Sequence, residues 1–417
     1  MKTRNALAAL VGLLAGFWLL PDDRVLAQKP PQTVADSPNA PFELRNGDRV
    51  VFLGNSLFEN DFQYNYLEYA LTTRWADRDV TFRNLGWSGD NVFGEARSTF
   101  TNPPTPYQHL MNQITQAKPT VVFLAYGGVE AEWGEAGLPR FREGLTKLLD
   151  TLDRLGARSV LLSPIPMLAG DSAQHIAKRN AMLEVYASVL AETASARGKR
   201  YIDLFKPVAE LGKKVTITEN GIHLNETGYY ELAKLLEQSL GLTPSGETAQ
   251  ITITKNGAEA SAPVKMQTTG PENPVLRFTM DEPYLPLPPP ASNPEVAEGV
   301  RTLKISGLKK GFYTLTADDA TVVMASAQQW AEGVPIRQGP VFEQARHLRY
   351  LMLKKNELFF FQYRPLNQTY ILGFRSYEQG RHVKGLEEQN ILIKWLEGQI
   401  ALSCKPKTSV YQLIPLK

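Results

Sequence analysis

An apolar run at residues 49–53 leads straight into Gly54-Asn55-Ser56-Leu57. A serine at the carboxyl end of a strand, beside glycine and ahead of a helix, is the setting in which α/β hydrolytic enzymes expose a nucleophilic hydroxyl. Gly-Asn-Ser is also ordinary turn chemistry, so the tetrapeptide decides nothing alone. The next run, 80–84, ends in Asn84-Leu85-Gly86-Trp87-Ser88-Gly89-Asp90. Glycine there permits a tight turn and leaves a backbone N–H unobstructed, as an oxyanion hole requires. A third run, 120–125, ends in Tyr126-Gly127-Gly128-Val129-Glu130, and Asn220-Gly221-Ile222-His223-Leu224 stands just before a helical stretch.

Elements that hold four such loops together can be read from the same pattern. Strand candidates at 49–53, 80–84, 120–125, 159–163 and 200–203 are short, continuous and rich in Val and Leu. That is the texture of parallel strands buried on both faces. Helical stretches at 62–75, 107–117, 138–155, 173–197 and 226–240 alternate with them. The alternation predicts a doubly wound α/β domain over residues 44–245, with chemistry beyond the carboxyl ends of its strands.

In this order and spacing, the four loops resemble the four blocks of the SGNH (GDSL-like) hydrolase superfamily, over about residues 48–242. The resemblance implies a flavodoxin-like three-layer α/β/α sandwich and the chemistry of esterases, lipases, thioesterases or carbohydrate deacetylases. It implies Ser56 as nucleophile, Gly89 as backbone oxyanion donor and His223 as general base. The segment around 363–381 also resembles the C-terminal extension of exported bacterial members.

The departures from the family pattern are specific. Gly-Asp-Ser-Leu is Gly-Asn-Ser-Leu here, at a position outside the triad. The third block's oxyanion Asn is replaced by Val129, and the last block's Asp, three residues before the His, by Asn220. Loss of one oxyanion donor typically lowers rates by ~10²–10³, and an Asp-to-Asn change behind the base by ~10⁴. Glu219, beside Asn220, is either a substitute orienter for His223 or a solvated loop residue. Asn84, Asn91 and the Ser56 N–H are candidates to share the oxyanion load. Asn220-Gly221 is itself a deamidation-prone pair that would generate Asp or iso-Asp at the acid position.

Two functions therefore follow from the sequence. The first is an exported, Ser–His ester hydrolase acting on an ester or acetylated small molecule or carbohydrate. The second is a catalytically silent SGNH domain that binds cell-envelope carbohydrate or a protein partner.

The rest of the chain narrows the setting. Forty-five Lys and Arg against 43 Asp and Glu give a formal charge of +2, so no global field points to nucleic acid. Residues 1–27 have a basic start, an apolar run and Val25-Leu26-Ala27, the plan of a secretory signal peptide, and 28–43 a flexible lead-in. Export to the periplasm or medium of a bacterium is expected, with no transmembrane segment after cleavage. The single cysteine, Cys404, excludes an intramolecular disulfide and is expected to be buried. The other histidines (His109, His175, His347 and His382) have no metal-ligand spacing, and neither metal nor cofactor is expected. His175 and Arg179 share a helix face expected at the surface. Trp87, Tyr126 and Trp133 are candidates for an apolar or sugar-stacking wall or for ordinary packing. Beyond 245 the pattern predicts a β-rich module at 246–325 with a Pro-rich loop at 283–294, then a mostly helical tail at 326–417 packed on the α/β domain. Phe359-Phe360-Phe361 and Tyr363 are expected to be buried there, with Arg364 and Asn367 as possible visitors to the cleft.

Overall fold

Apolar side chains run almost without interruption through β1 (Arg49–Gly54), while β2 (Thr81–Asn84), β3 (Val121–Ala125), β4 (Arg158–Leu162) and β5 (Arg200–Ile202) are shorter. The computed structural model describes residues 40–98, 104–242, 248–255, 257–267, 276–292, 294, 301–365 and 380–416. The expected signal peptide, most of the lead-in, and Asn367 lie outside the described residues. All five strands pair in parallel in the order β2-β1-β3-β4-β5, with Val50 opposite Val121 and Phe52 opposite Phe123.

Around this sheet lie α1 (Ser56–Asp61), α2 (Tyr66–Arg74), α3 (Pro106–Ala117), α4 (Leu138–Arg154), α5 (Ala173–Ala196), α6 (Phe205–Gly212) and α7 (Glu226–Ser239). Alternate residues of β1 enter opposite cores, as a pleated strand requires. Val50 and Phe52 pack with Phe58, Leu71 and Tyr229, whereas Val51 and Leu53 pack with Leu110, Leu145 and Leu190. The result is the three-layer, flavodoxin-like α/β/α sandwich. Strand order reverses between β1 and β3, and ligands in such sheets sit at that switch point.

The helix expected at 62–75 is corrected to Tyr66–Arg74, and a separate short helix precedes it. The short one begins at Ser56 itself and ends at Asp61; the longer starts after Asn65, whose φ of 56° is left-handed. The Tyr66 N–H then bonds Asp61 Oδ1 at 3.1 Å, closing the break.

The β module contains β6 (Ala249–Thr254), β7 (Gly257–Ala260), β8 (Val264–Met266), β9 (Leu276–Met280), β10 (Thr302–Ser306), β11 (Phe312–Ala317) and β12 (Ala320–Ser326). After α8 (Ala327–Glu332) and β13 (Val334–Pro335) comes a helical pair, α9 (Pro340–Tyr363) and α10 (Gly380–Ser403). The chain then returns as β14 (Val410–Pro415), between β9 and β11. The two sheets run β13-β10-β6-β7 and β12-β11-β14-β9-β8 and share one core, which includes Ile251, Leu303, Phe278 and Leu413. The mostly helical tail thus ends in a central strand of the module, a pairing that no local pattern announced.

Helix α9 binds the α/β domain through buried polar groups. Lys355 Nζ donates to Glu68 Oε1 at 2.7 Å and to the Phe82 carbonyl at 3.1 Å. Asn356 Nδ2 donates to Glu68 Oε2 and to Asn65 Oδ1. Arg349 reaches Tyr64, Tyr66 and Glu226, while Tyr66 and Tyr69 also hold the carbonyls of Pro288 and Pro286 in the Pro-rich loop. Cys404 is buried in the same helical interface.

The expectation for the aromatic cluster is corrected in part. Phe359 and Tyr363, one helical turn apart, pack on the α/β core, and Phe360 stacks on Phe62 at 4.8 Å. Phe361 is 36% exposed, because it points away from the face its neighbours share.

Candidate active site

Asn55 caps α1: its Oδ1 accepts the Leu57 N–H at 3.1 Å, and its carbonyl accepts from Phe58 and Glu59. Ser56 is therefore the first residue of a helix, where a backbone N–H has no intrahelical acceptor. Tyr229 pins this turn by donating its hydroxyl to the Leu57 carbonyl at 2.8 Å. Ser56 is half-buried and faces a cavity of about 320 Å³, whose lining also includes Gly89, Val129, Arg179, His223 and Met167.

Gly89 has a φ of +76°, and a β-carbon there would meet nothing within 4 Å. Only glycine adopts this conformation without strain, and it leaves the surroundings of the N–H open. Among the described residues, neither the Ser56 nor the Gly89 N–H has a protein acceptor. The loop is fixed from beneath by Asp90, fully buried against fully buried Arg97 at 2.7 Å. Tyr126 donates its hydroxyl to the same Asp90 oxygen at 3.0 Å, and Arg97 also holds Gln113 and the Leu85 carbonyl. Burial pushes the Asp90 carboxyl up, against Arg97 and Tyr126, which pull it back. Glu130 ties the loop after β3 to this one by accepting the N–H groups of Val92 and Gly127. Its carboxyl is raised to about 7, chiefly by burial.

His223 sits in a small closed loop before α7. Thr218 bridges Leu224, and the Glu219 N–H bonds the His223 carbonyl at 2.9 Å. Asn220 Oδ1 accepts the N–H groups of Ile222 at 3.1 Å and His223 at 2.9 Å. These two donors establish which end of the amide is oxygen, so Nδ2 is the atom 3.3 Å from His223 Nδ1. An amide nitrogen can only donate, and Nδ1 must accept. The neutral ring therefore carries its proton on Nε2, the wrong tautomer for taking a proton there.

The Glu219 carboxylate accepts the Tyr64 hydroxyl at 3.2 Å, and among the described residues it is Asn220, not Glu219, that hydrogen-bonds the His223 ring. The two asparagines proposed to share the oxyanion are corrected as well. Asn84 Nδ2 donates to the Phe58 carbonyl and Asn91 Nδ2 to Glu95, and neither lines the cavity. Two side-chain amides that do line it, Asn55 and Asn60, were not singled out. The only signal for Asn55 was the Gly-Asn-Ser spelling itself. Arg179, expected at the surface, forms cavity wall and donates to the Gly128 carbonyl at 2.5 Å. Its neighbour His175 also lines the cavity while remaining exposed. Trp87 is buried and Tyr126 fully so; Trp133 lies under Arg140, 4.5 Å from its ring centre. Arg364 pairs with Glu59 at 2.5 Å and stacks on Trp87, next to the Gly89 loop but not in the lining.

Residues 52–230 match the model of the GDSL-like Lipase/Acylhydrolase family. Those residues contain every loop that meets at the cavity. Among solved structures, a gut microbial diltiazem-metabolizing enzyme is similar over 90% of this chain and 99% of its own, at 18% identity and a TM-score of 0.68. That likeness extends the shared fold through the β module and the helical pair. A catalytic mutant of an acetylxylan esterase from Geobacillus stearothermophilus covers 48% of this chain and 98% of its own, at 16% identity and a TM-score of 0.39. An alpha/beta hydrolase from the metagenome of Lake Arreo, Spain, covers 48% and 97%, at 17% identity and a TM-score of 0.37. No curated protein matches by sequence.

Below the site, Asp61 at the end of α1 gives a pH signature. Burial raises its carboxyl from 3.8 to about 7, with Glu68 adding to the shift and the Tyr66 N–H opposing it. Between those values the folded protein retains a proton that the unfolded chain has released. Stability from this group is full below 3.8 and is lost as pH rises to about 7. The loss is on the order of 4 kcal/mol. Asp61→Asn should remove that part of the slope and be more stable than the parent at pH above 7, as read from urea midpoints across the window. Parallel curves for the two proteins would reject this assignment.

Proposed function

We propose that this chain is an ester hydrolase in which Ser56 attacks the carbonyl carbon and His223 carries the proton. The observation that carries the proposal is convergence: a serine at a helix start, two N–H groups without acceptors among the described residues and a histidine border one cavity at the β1/β3 switch point. In the tautomer protonated at Nδ1, the form that Asn220 disfavours, Nε2 takes the Ser56 Oγ–H proton as the new C–O bond forms. The oxyanion falls to the N–H groups of Ser56 and Gly89. The imidazole returns the proton to the departing alcohol, and water then releases the acid from Ser56 by the same route. Ile165, Met167, Leu183 and Ile222 give the cavity apolar walls, which suit a short acyl group or an acetylated small molecule or carbohydrate. Hydrolysis of a short activated ester should therefore be measurable and should disappear in Ser56→Ala. Activity that survives this substitution would eliminate Ser56 as nucleophile.

A second reading is favoured by the tautomer that Asn220 imposes. A domain whose imidazole is held as a donor at Nε2 can bind a carbohydrate or protein partner without turning it over. Absence of hydrolysis in a folded parent, together with ligand binding in the same cavity, would establish it. We also propose export with removal of residues 1–27, which N-terminal sequencing of the mature protein would test.

A further inference from the structure

We propose that Asn220 is a self-modification site, at which attack by the Gly221 nitrogen expels the side-chain amide and leaves an aspartate facing His223. The consequence for activity rests on the ester-hydrolase reading; the modification itself does not.

The chain has three Asn-Gly pairs, at Asn46, Asn220 and Asn256. Glycine leaves the following nitrogen unhindered, so each could cyclise. The structure separates Asn220 from Asn46, although both are exposed. At the first pair the Gly47 N–H is engaged by the Asp79 carbonyl at 2.7 Å, and Asn46 Oδ1 accepts one N–H, from Asp79. At the second pair the Gly221 N–H has no acceptor among the described residues, and Asn220 Oδ1 accepts two backbone N–H groups. Those two donors lie where negative charge develops during ring closure. The departing atom, Nδ2, is 3.3 Å from His223 Nδ1, which in the protonated imidazolium can donate to it.

The balance is simple. Gly221 N bonds to Asn220 Cγ and gives up its proton to solvent, placing the electron pair on Oδ1. The Cγ–Nδ2 bond then breaks, and nitrogen leaves as ammonia after gaining a proton from Nδ1 of the imidazolium form of His223, whose second proton comes from solvent. Water opens the five-membered imide. Opening at Cγ restores the ordinary chain with aspartate; opening at the backbone carbonyl gives the iso-aspartyl linkage. In the aspartate form Oδ1 keeps both backbone donors, and the second oxygen replaces Nδ2 opposite His223 Nδ1. That oxygen can only accept, so the proton moves to Nδ1 and Nε2 becomes the base.

The test uses the full chain, incubated at neutral pH and sampled over time. Each sample is divided between peptide mass mapping at Asn46 and Asn220 and an assay of short-ester hydrolysis. Gly221→Ala is unsuitable as a control, because a β-carbon there would lie 2.3 Å from the Ala169 carbonyl oxygen. His223→Gln serves instead, with Asn46 as the internal clock. Amide loss at Asn220 should exceed that at Asn46 by about tenfold or more, given one additional oxyanion donor. His223→Gln should slow Asn220 alone. Equal or slower loss at Asn220 overturns the proposal. Hydrolysis that rises with the aspartyl fraction, and not the iso-aspartyl one, supports both readings. Amide loss with no hydrolysis, even in Asn220→Asp, upholds the modification and rejects the hydrolase.

Discussion

Asn220→Asp is expected to raise kcat/KM for a short activated ester by about 10³–10⁴-fold, the inverse of removing the acid from a serine-protease triad. The substitution is nearly isosteric, and the loop is already shaped for it. Oδ1 would keep the N–H groups of Ile222 and His223, and only the atom facing Nδ1 changes character. The carboxylate would fix the productive tautomer and stabilise the imidazolium that forms as Ser56 reacts. Val129→Asn should add a smaller gain, up to about 10²–10³ if its amide reaches the oxyanion. Both act on one transition state, so the double variant has to be measured beside the singles. A folded Asn220→Asp protein with no gain would mean that His223 is not the base.

Lys355→Met is expected to destabilise the protein by about 3–5 kcal/mol, the usual result of removing one partner from a buried pair. Glu68 would be left in the interior with Asn356 Nδ2 as its remaining donor from α9. Burial already holds the Lys355 ammonium below its ordinary range, while Glu68 pulls it up. The pair is thus sensitive to loss of either member. Combining Lys355→Met with Glu68→Leu should recover much of the loss, since no uncompensated charge remains. Chemical unfolding of both single variants and the double closes the cycle. If Lys355→Met proves no more harmful than the double, the ion pair is not what secures α9.

How much of this was legible depends on how local the cause is. The buried strands announced themselves because Val, Phe and Leu fill both faces of β1 and β3. Ser56, Gly89 and His223 were findable because each stands at a strand end or before a helix, where backbone geometry has a short signature. The break between α1 and α2 hung on one left-handed Asn65, a residue type also common inside helices and turns. The eight-residue α6 was too short for its period to register. Asp90 and Arg97 form the post under the Gly89 loop, yet seven positions apart they have no recognisable spacing. Arg179 looked like surface because a helix pattern says which residues share a face, not what that face meets. Whether Asn220 points its nitrogen or its oxygen at His223 required the two backbone donors to be seen.

The return of β14 to the middle of its sheet has a consequence for synthesis. A ribosome makes the chain from the amino end, and domains generally fold as units as they emerge. Every strand of the α/β domain is complete well before Val410–Pro415 is made. The five-stranded sheet of the module has no such freedom: β9 and β11 must wait for Val410–Pro415 to come between them. Until that segment emerges, both present unpaired edges, the kind of surface on which strands from other chains can add. A nascent chain stalled or truncated after α10 would therefore carry a finished α/β half and an open, adhesive one. Chaperone capture during translation should concentrate on that second half.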